Sequence, residues 1–339
     1  MKSIRVEDAV GTILAHDLTK IVPGEFKGAA FKKGHIVQKE DIEELKRMGK
    51  NNIFVLEMKP DTLHEDDAAR RIAEAAAGDG ICLTGPSEGK ISLKATKKGL
   101  LKINLEALET INDIDMVIIS TLHNNTMVNA GKTVAGTRII PLCIDKQSIE
   151  AVEEICSRLG KVMWIKELLS LRTGIVVTGT EVYEGRIMDK FGPVLTKKLE
   201  DYGCILTELA YAPDNKDQIK AAIEEQIKVG AQIVLVSGGM SVDADDVTPS
   251  AIREVSDRIV TYGSPVLPGA MFMLGYKKDI PILGIPACGM YHKITVFDFV
   301  FPRILAGDVL TRRDITRMGH GGLCQNCESC RYPNCTFGR

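Results

Sequence analysis

The sequence predicts an α/β chain: a three-layer parallel sheet covered by helices on both faces, preceded by smaller strand-rich α+β units and followed by a cysteine-rich tail. Three observations carry that reading. From Thr173 onward, strand-sized apolar runs alternate with helix-length segments that have one apolar face, which is the pattern of right-handed crossovers between parallel strands. The first sixty residues read instead as short strands broken by Gly and Pro. Finally, four of the nine cysteines crowd into the last sixteen positions.

In order, residues 1–60 form the first unit. Gly11-Thr-Ile-Leu-Ala, Ile21-Val-Pro-Gly and Phe31-Lys-Lys-Gly-His-Ile-Val read as strands, a helix runs from about Lys39 to Met48 and is stopped by Gly49, and Asn52-Ile-Phe-Val-Leu-Glu closes the unit. Met58-Lys-Pro-Asp-Thr reads as a linker. Residues 61–170 form a middle α+β unit, opening on a helix from Glu65 with acidic residues in its first turn and Gly78 beyond its end. Asp115-Met-Val-Ile-Ile-Ser and Gly136-Thr-Arg-Ile-Ile-Pro-Leu fit strands there, and Ser148 to Leu159 a helix. His64 and His123 stand without clustered partners, so structural or surface roles are expected.

The third unit, residues 171–310, is the regular one. Gly174-Ile-Val-Val-Thr is a strand, and Asp189 to Tyr202 is a helix facing inward with Phe191, Val194, Leu195 and Leu199. Cys204 to Ala212 is a strand, Asn215 to Val229 a helix facing inward with Ile219, Ala222, Ile223 and Ile227, and Gln232 to Val236 a strand. Residues 311–339 are the cysteine tail.

Composition bounds the function. The 339 residues carry 43 Lys and Arg against 45 Asp and Glu, a net charge of −2, so no global basic field exists to hold nucleic acid or an anionic membrane. Apolar runs such as Met116 to Ile119 and Ile233 to Val236 fall far short of the roughly 20 residues a membrane helix needs. The opening Met1-Lys-Ser-Ile-Arg-Val-Glu-Asp has no apolar signal core, so a cytoplasmic protein is expected. Cys82, Cys143, Cys156, Cys204 and Cys288 have apolar neighbours and read as small buried hydrophobes.

In such a sheet, ligands bind beyond the carboxyl ends of the strands, which singles out three segments. Thr178-Gly-Thr-Glu-Val-Tyr-Glu-Gly-Arg-Ile-Met-Asp189 places Glu181 near a strand end and Asp189 before a helix. Ala212-Pro-Asp-Asn215 places Asp214 between a strand and a helix. Ser237-Gly-Gly-Met-Ser-Val-Asp-Ala-Asp-Asp-Val-Thr-Pro249 combines a double glycine, Ser241 and a Thr248-Pro249 helix start. Backbone N–H groups at Gly238 and Gly239, with the Ser241 hydroxyl, suit a terminal phosphate. Glu181, Asp214 and Asp246 stand at three strand tips and suit a hydrated magnesium ion. Each has a plain alternative: Asp214 caps the following helix, Asp246 braces the Thr248 turn, and Glu181 is simply solvated.

Thr178-Gly-Thr-Glu, Gly185-Arg-Ile-Met-Asp-Lys, Ala212-Pro-Asp, Ser237-Gly-Gly-Met-Ser and Asp246-Val-Thr-Pro resemble, in order and spacing, the molybdopterin-binding domain family. That family contains the molybdopterin adenylyltransferases and the molybdopterin molybdotransferases of molybdenum cofactor biosynthesis. The resemblance implies a three-layer molybdopterin-binding domain over 171–310. It assigns Asp214, Asp246 and Glu181 as the catalytic acids. Thr178, Gly179, Asp189, Ser237, Gly238, Gly239, Ser241 and Thr248 are its ligand-binding positions.

Val10-Gly-Thr-Ile-Leu-Ala-His-Asp-Leu, Lys33-Gly-His-Ile-Val, Val266-Leu-Pro-Gly and Leu283-Gly-Ile-Pro-Ala-Cys-Gly lean towards the molybdotransferase branch. Its Ser-Ala-Met-Asp-Gly-Tyr-Ala motif is missing, and Ile285-Pro-Ala-Cys-Gly289 lacks its glycine-asparagine-proline core. The implied reaction is magnesium-dependent molybdate insertion into molybdopterin or its adenylylated form. The alternatives are ATP-dependent adenylylation of molybdopterin, and carriage or sensing of the cofactor without chemistry. Molybdopterin, molybdate and an ATP or AMP moiety are the implied small partners. A molybdoenzyme or another cofactor-synthesis protein is the implied acceptor, and homo-oligomerisation stays open.

Cys324, Cys327 and Cys330 follow at intervals of three, and Cys335 lies five further on. Structural zinc pairs normally sit on knuckles a dozen or more residues apart, whereas three at this spacing resemble a bacterial ferredoxin run. Metal binding is expected, with zinc (His320 as an alternate ligand) and an iron–sulfur cluster both open. Arg312, Arg313, Arg317, Arg331 and Arg339 against Asp314 and Glu328 make the tail locally basic.

Overall fold

The computed structural model describes residues 2–22, 26–55 and 61–338, so most of the expected linker at 58–62 lies outside the described residues. Two compact units divide the chain, Met1–Lys166 and Glu167–Arg339.

The first unit has two cores. The small one gathers Val6, Leu14, Leu18, Val37, Leu45 and Ile53. There Lys2–Arg5 pairs antiparallel with Asn52–Val55, and the helix Asp41–Arg47 buries Leu45 and packs Ile42 against the same core. Gly11 to Ala15, expected as a strand, makes only isolated bridges from Ile13 and Leu14. In the larger core the helix Glu65–Ala76 lays Ala68, Ala69, Ile72, Ala73 and Ala76 in one buried stripe. It packs on a four-stranded antiparallel sheet ordered Ile81–Ser87, Lys90–Ala95, Thr133–Ile139, Val117–Thr121. His64 has a structural role: its Nδ1 accepts from the Asp66 amide at 3.2 Å, and its Nε2 donates to the Ala15 carbonyl at 2.6 Å.

The scattered cysteines are less buried than expected. Cys156 alone is fully buried, Cys82 is exposed and the other three are intermediate. Cys82 lies at an outward position of its edge strand, where the two-residue period turns it to solvent whatever its neighbours.

The second unit is one six-stranded sheet. Its strands are β1 (Arg172–Thr178), β2 (Ile205–Ala212), β3 (Ile233–Ser237), β4 (Arg258–Tyr262), β5 (Met273–Lys277) and β6 (Ile280–Ile285), in the spatial order β2-β1-β3-β6-β5-β4. β2, β1, β3 and β6 are parallel, as the alternating pattern requires. β5 runs antiparallel to both of its neighbours, β6 and β4, which corrects the expectation of an all-parallel sheet. Only Lys278 and Asp279 separate β5 from β6, and a two-residue connection cannot carry a crossover.

Successive side chains of the central strands feed opposite faces. Ile175, Val177, Ile233 and Leu235 join one core with α1 (Phe191–Tyr202) and α4 (Val296–Leu305). Val176, Val234 and Val236 join the other with α2 (Lys216–Lys228) and α3 (Thr248–Val255). The terminal segment is built into the first of these cores, where Ile315 of α5 (Arg312–Arg317) and Phe337 are both buried.

Candidate functional site

Register places the site. Thr178 pairs with Ala212, Val177 with Ser237, and Ser237 with Ile285, so the carboxyl ends of β1, β2, β3 and β6 stand level on one edge. The chain winds from β1 to β2 on one side and then returns to β3 on the other. Loops leaving β1 and β3 therefore diverge and open a crevice between them. A cavity of about 760 Å³ lies there, lined by Thr178, Gly179 and Glu181 after β1, Asp214 after β2, Gly238 and Gly239 after β3, and Tyr291 after β6.

The double glycine is required by space as well as by torsion. Gly238 has φ +96° and Gly239 φ +52°. A Cβ on Gly238 would meet the Thr178 carbonyl oxygen at 2.2 Å, and one on Gly239 would meet Thr248 Oγ1 at 2.9 Å and Asp214 Oδ1 at 3.6 Å. Any side chain here would displace the β3 loop from the crevice wall. Beneath the loop, the Thr178 and Thr248 hydroxyls are buried and 3.1 Å apart, which ties the end of β1 to the start of α3.

Asp214 does not cap the helix after it. Asn215 does, accepting from the Gln218 amide at 3.1 Å. Asp214 Oδ2 instead accepts from the Thr180 amide at 2.8 Å, and Thr180 Oγ1 accepts from the Asp214 amide at 3.1 Å. Asp246 Oδ2 accepts from the Asp243 amide at 3.0 Å and closes its own loop, while α3 begins with no side-chain cap. Glu181 is exposed.

Asp189 serves the scaffold. Its Oδ1 accepts from the Phe191 amide at 2.7 Å and its Oδ2 from the Gly192 amide at 3.0 Å, which satisfies the open donors at the start of α1. The Tyr211 hydroxyl also donates to Oδ2 at 3.1 Å, and burial followed by that partner raises the phenol above its ordinary value. The Tyr262 hydroxyl reaches the carbonyls of Met240 at 3.0 Å and Ser241 at 3.2 Å, bracing the loop behind the cavity. Burial, then the nearby Asp246 charge, raises that phenol as well.

The cavity gathers Thr178, Gly179, Glu181, Asp189, Asp214, Gly238, Gly239 and Asp246 of the expected positions. Ser237 and Thr248 are fully buried behind it, and Ser241 lies outside its lining. Among the described residues, no three His, Cys, Asp or Glu side chains converge to hold a metal ion. Asp214 and Asp246 are each turned towards a backbone amide through one carboxylate oxygen.

Sequence reasoning missed Thr180, which holds Asp214, and the lining residues Lys190, Asp243, Met290 and Tyr291. Met290 and Tyr291 follow the carboxyl end of β6, so the strand-end rule applied to that last parallel strand finds them. The tail cysteines line a separate cavity of about 410 Å³, together with Tyr291, His292 and Lys293.

Residues 174–306 match the family model described as a probable molybdopterin binding domain. This stretch is a domain of the molybdopterin-binding family. A CinA-like protein of Mycobacterium leprae is 34% identical over 91 residues, which are 27% of this chain and 21% of that protein. The chain thus spans about a fifth of the length of the curated relatives it matches. Among solved structures, a molybdopterin biosynthesis protein from Mycobacterium abscessus is 19% identical, covering 41% of this chain and 98% of that one at a TM-score of 0.34. The molybdopterin biosynthesis enzyme MoaB from Thermus thermophilus is 20% identical, with coverage of 41% and 98% and a TM-score of 0.34. Residues 3–57 match a family model described as a domain of unknown function, DUF8806. The molybdopterin-binding domain thus contains the whole switch-point cavity, from Val177 to Tyr291. Among the described residues, no helix is long and apolar enough to cross a membrane.

Proposed function

We propose that the switch-point cavity binds molybdopterin, or its adenylylated form, by the terminal phosphate and promotes magnesium-dependent molybdate insertion. The observation that carries this reading is the Gly238-Gly239 turn at the crevice wall, with Asp214 Oδ1 held against it. Glycines with positive φ let backbone N–H groups approach a phosphate closely. Exposed Met188 and Tyr291 on the cavity lining offer apolar surface to a flat ring system.

Charge decides what else is needed. Glu181, Asp189, Asp214, Asp243, Asp245 and Asp246 line the cavity, and among the described lining residues Lys190 is the sole base. A phosphate and a molybdate entering together meet strong repulsion unless a cation accompanies them. Asp214 Oδ1 and Asp246 Oδ1 accept no hydrogen bond among the described residues. A hydrated magnesium ion is commonly held by one or two carboxylates plus substrate oxygens, so these two acids fit the role. When bound, the ion offsets charge on the phosphate and the incoming oxyanion. Thr180 holds Asp214 in place, and Gly238 and Gly239 orient the phosphate.

The test incubates purified protein with molybdopterin, molybdate and magnesium and assays the product by activation of a cofactor-free molybdoenzyme. Activation that requires all three supports insertion. Pyrophosphate release with ATP and no activation assigns adenylylation instead, and tight molybdopterin binding without either reaction assigns carriage. Absence of binding overturns the reading.

A further inference from the structure

The terminal segment forms a closed loop pinned at both ends. The Leu267 amide donates to the Gly322 carbonyl at 2.7 Å, and the Cys324 amide donates to the Leu267 carbonyl at 2.8 Å. At the far end the Gly338 amide donates to the Gly321 carbonyl at 2.9 Å, and Phe337, 4% exposed, meets Phe299 edge-on at 4.9 Å. Between these anchors the chain has no helix or strand. An irregular loop of this length that is held in place usually owes its order to function or to a ligand.

All four tail cysteines line the cavity inside that loop. Cys324 and Cys335 pack against the domain core, whereas Cys327 and Cys330 are exposed. Two facts distinguish the ligands such a set could take. A single tetrahedral zinc, with Zn–S near 2.3 Å, draws its sulfurs to within about 4 Å of one another. Among the described residues no three His, Cys, Asp or Glu side chains are placed to hold one metal ion between them. The cavity of about 410 Å³ is also far larger than one ion requires. Four thiols spread around a roomy cavity suit a polynuclear centre, whose ligands attach to separate metals. Lys293 and Arg331 on the same lining oppose the negative charge of a thiolate-bound cluster.

We propose that Cys324, Cys327, Cys330 and Cys335 hold an iron–sulfur cluster of the four-iron class in this C-terminal cavity. Each thiol gives up its proton on ligation, leaving four iron–thiolate bonds. Tyr291 lines both this cavity and the switch-point cavity, so the cluster stands one side chain from the proposed pterin site. The cluster assignment goes beyond the pterin reading and does not depend on it.

The test is anaerobic purification of the full chain and reconstitution with equal parts of ferrous and ferric iron and sulfide. Expected are broad visible absorbance that bleaches with dithionite and about four iron and four sulfide per chain. Cys327→Ser and Cys330→Ser remove exposed thiols without touching the core, so they should keep the thermal midpoint of the metal-free protein and lose at least tenfold in bound iron. Cys82→Ser, in the other unit, should bind iron like the unaltered chain. Colourless protein that retains one zinc, iron binding that survives the Cys327→Ser/Cys330→Ser double substitution, or no metal uptake at all overturns the proposal.

Discussion

Thr180 and Asp214 hold each other. The Asp214 carboxylate accepts from the Thr180 amide at 2.8 Å while the Thr180 hydroxyl accepts from the Asp214 amide at 3.1 Å, joining the loops after β1 and β2 on one side of the crevice. Thr180→Val leaves the Asp214 amide without that acceptor, at a cost of about 1–3 kcal/mol where the group is shielded from water. The expected result is a lower thermal midpoint and weaker molybdopterin binding. Asp214→Asn can keep the Thr180 contact through its amide oxygen. It is expected to preserve binding and fold while lowering turnover at least about 10²-fold, which kinetic assays separate from a binding defect.

The glycine pair gives a second expectation. Gly238→Ala places a Cβ 2.2 Å from the Thr178 backbone oxygen at a φ of +96°. Backbone on both sides prevents relief, so the substitution should cost about 1–3 kcal/mol in denaturant unfolding and abolish ligand binding. Gly239→Ala meets the Thr248 side chain at 2.9 Å instead, and the smaller obstacle predicts a milder loss.

Asn215 fills the cap role that stood as the plain alternative for Asp214. Asn215→Ala should lower stability by about 1 kcal/mol, the usual worth of such a cap, with molybdopterin affinity unchanged. A loss of binding larger than the loss of stability would place Asn215 in the ligand site and contradict this assignment.

Ser237 Oγ is fully buried with no hydrogen-bond partner among the described residues. Removing an unsatisfied buried hydroxyl carries little penalty, so Ser237→Ala should leave binding unchanged and hold or slightly raise the thermal midpoint. Impaired binding would mean that this hydroxyl reaches the ligand.

Acid should loosen the tail. Burial alone would raise Asp314, but the Thr311 hydroxyl and the Arg303 guanidinium at 2.7 Å outweigh it and hold the carboxyl at about 2, against an ordinary 3.8. A depressed folded value stabilises the protein above about pH 4, and that contribution fades as pH falls towards about 2. Asp314→Asn should therefore flatten the acid limb of stability measured between those values. Because Asp314 also closes the capping box of α5, the variant should lose about 1 kcal/mol at neutral pH.

Local sequence signals are enough to specify the elements that build the domain. Ile175, Val176, Val177 and Val234 to Val236 announce strands buried on both faces, and the Thr178, Asp214 and Gly238 loops follow from where those strands end. These signals are local: they depend on period, on turn residues and on motif order. The reversed sense of β5 was not legible in the same way, since an apolar strand looks alike in either direction and only its connection sets its sense. Nor was the choice between Asp214 and Asn215 as cap, because adjacent residues with equal cap preference are separated only by which one faces Thr180 on the neighbouring loop. The tail shows the same division. Spacing marked Cys324, Cys327, Cys330 and Cys335 as a set, but their gathering around one cavity beside Tyr291 depends on anchors at Leu267 and Phe299, far away in sequence. Periodicity fixes what a segment becomes, whereas long-range pairing and packing decide which of its side chains remain available to a ligand.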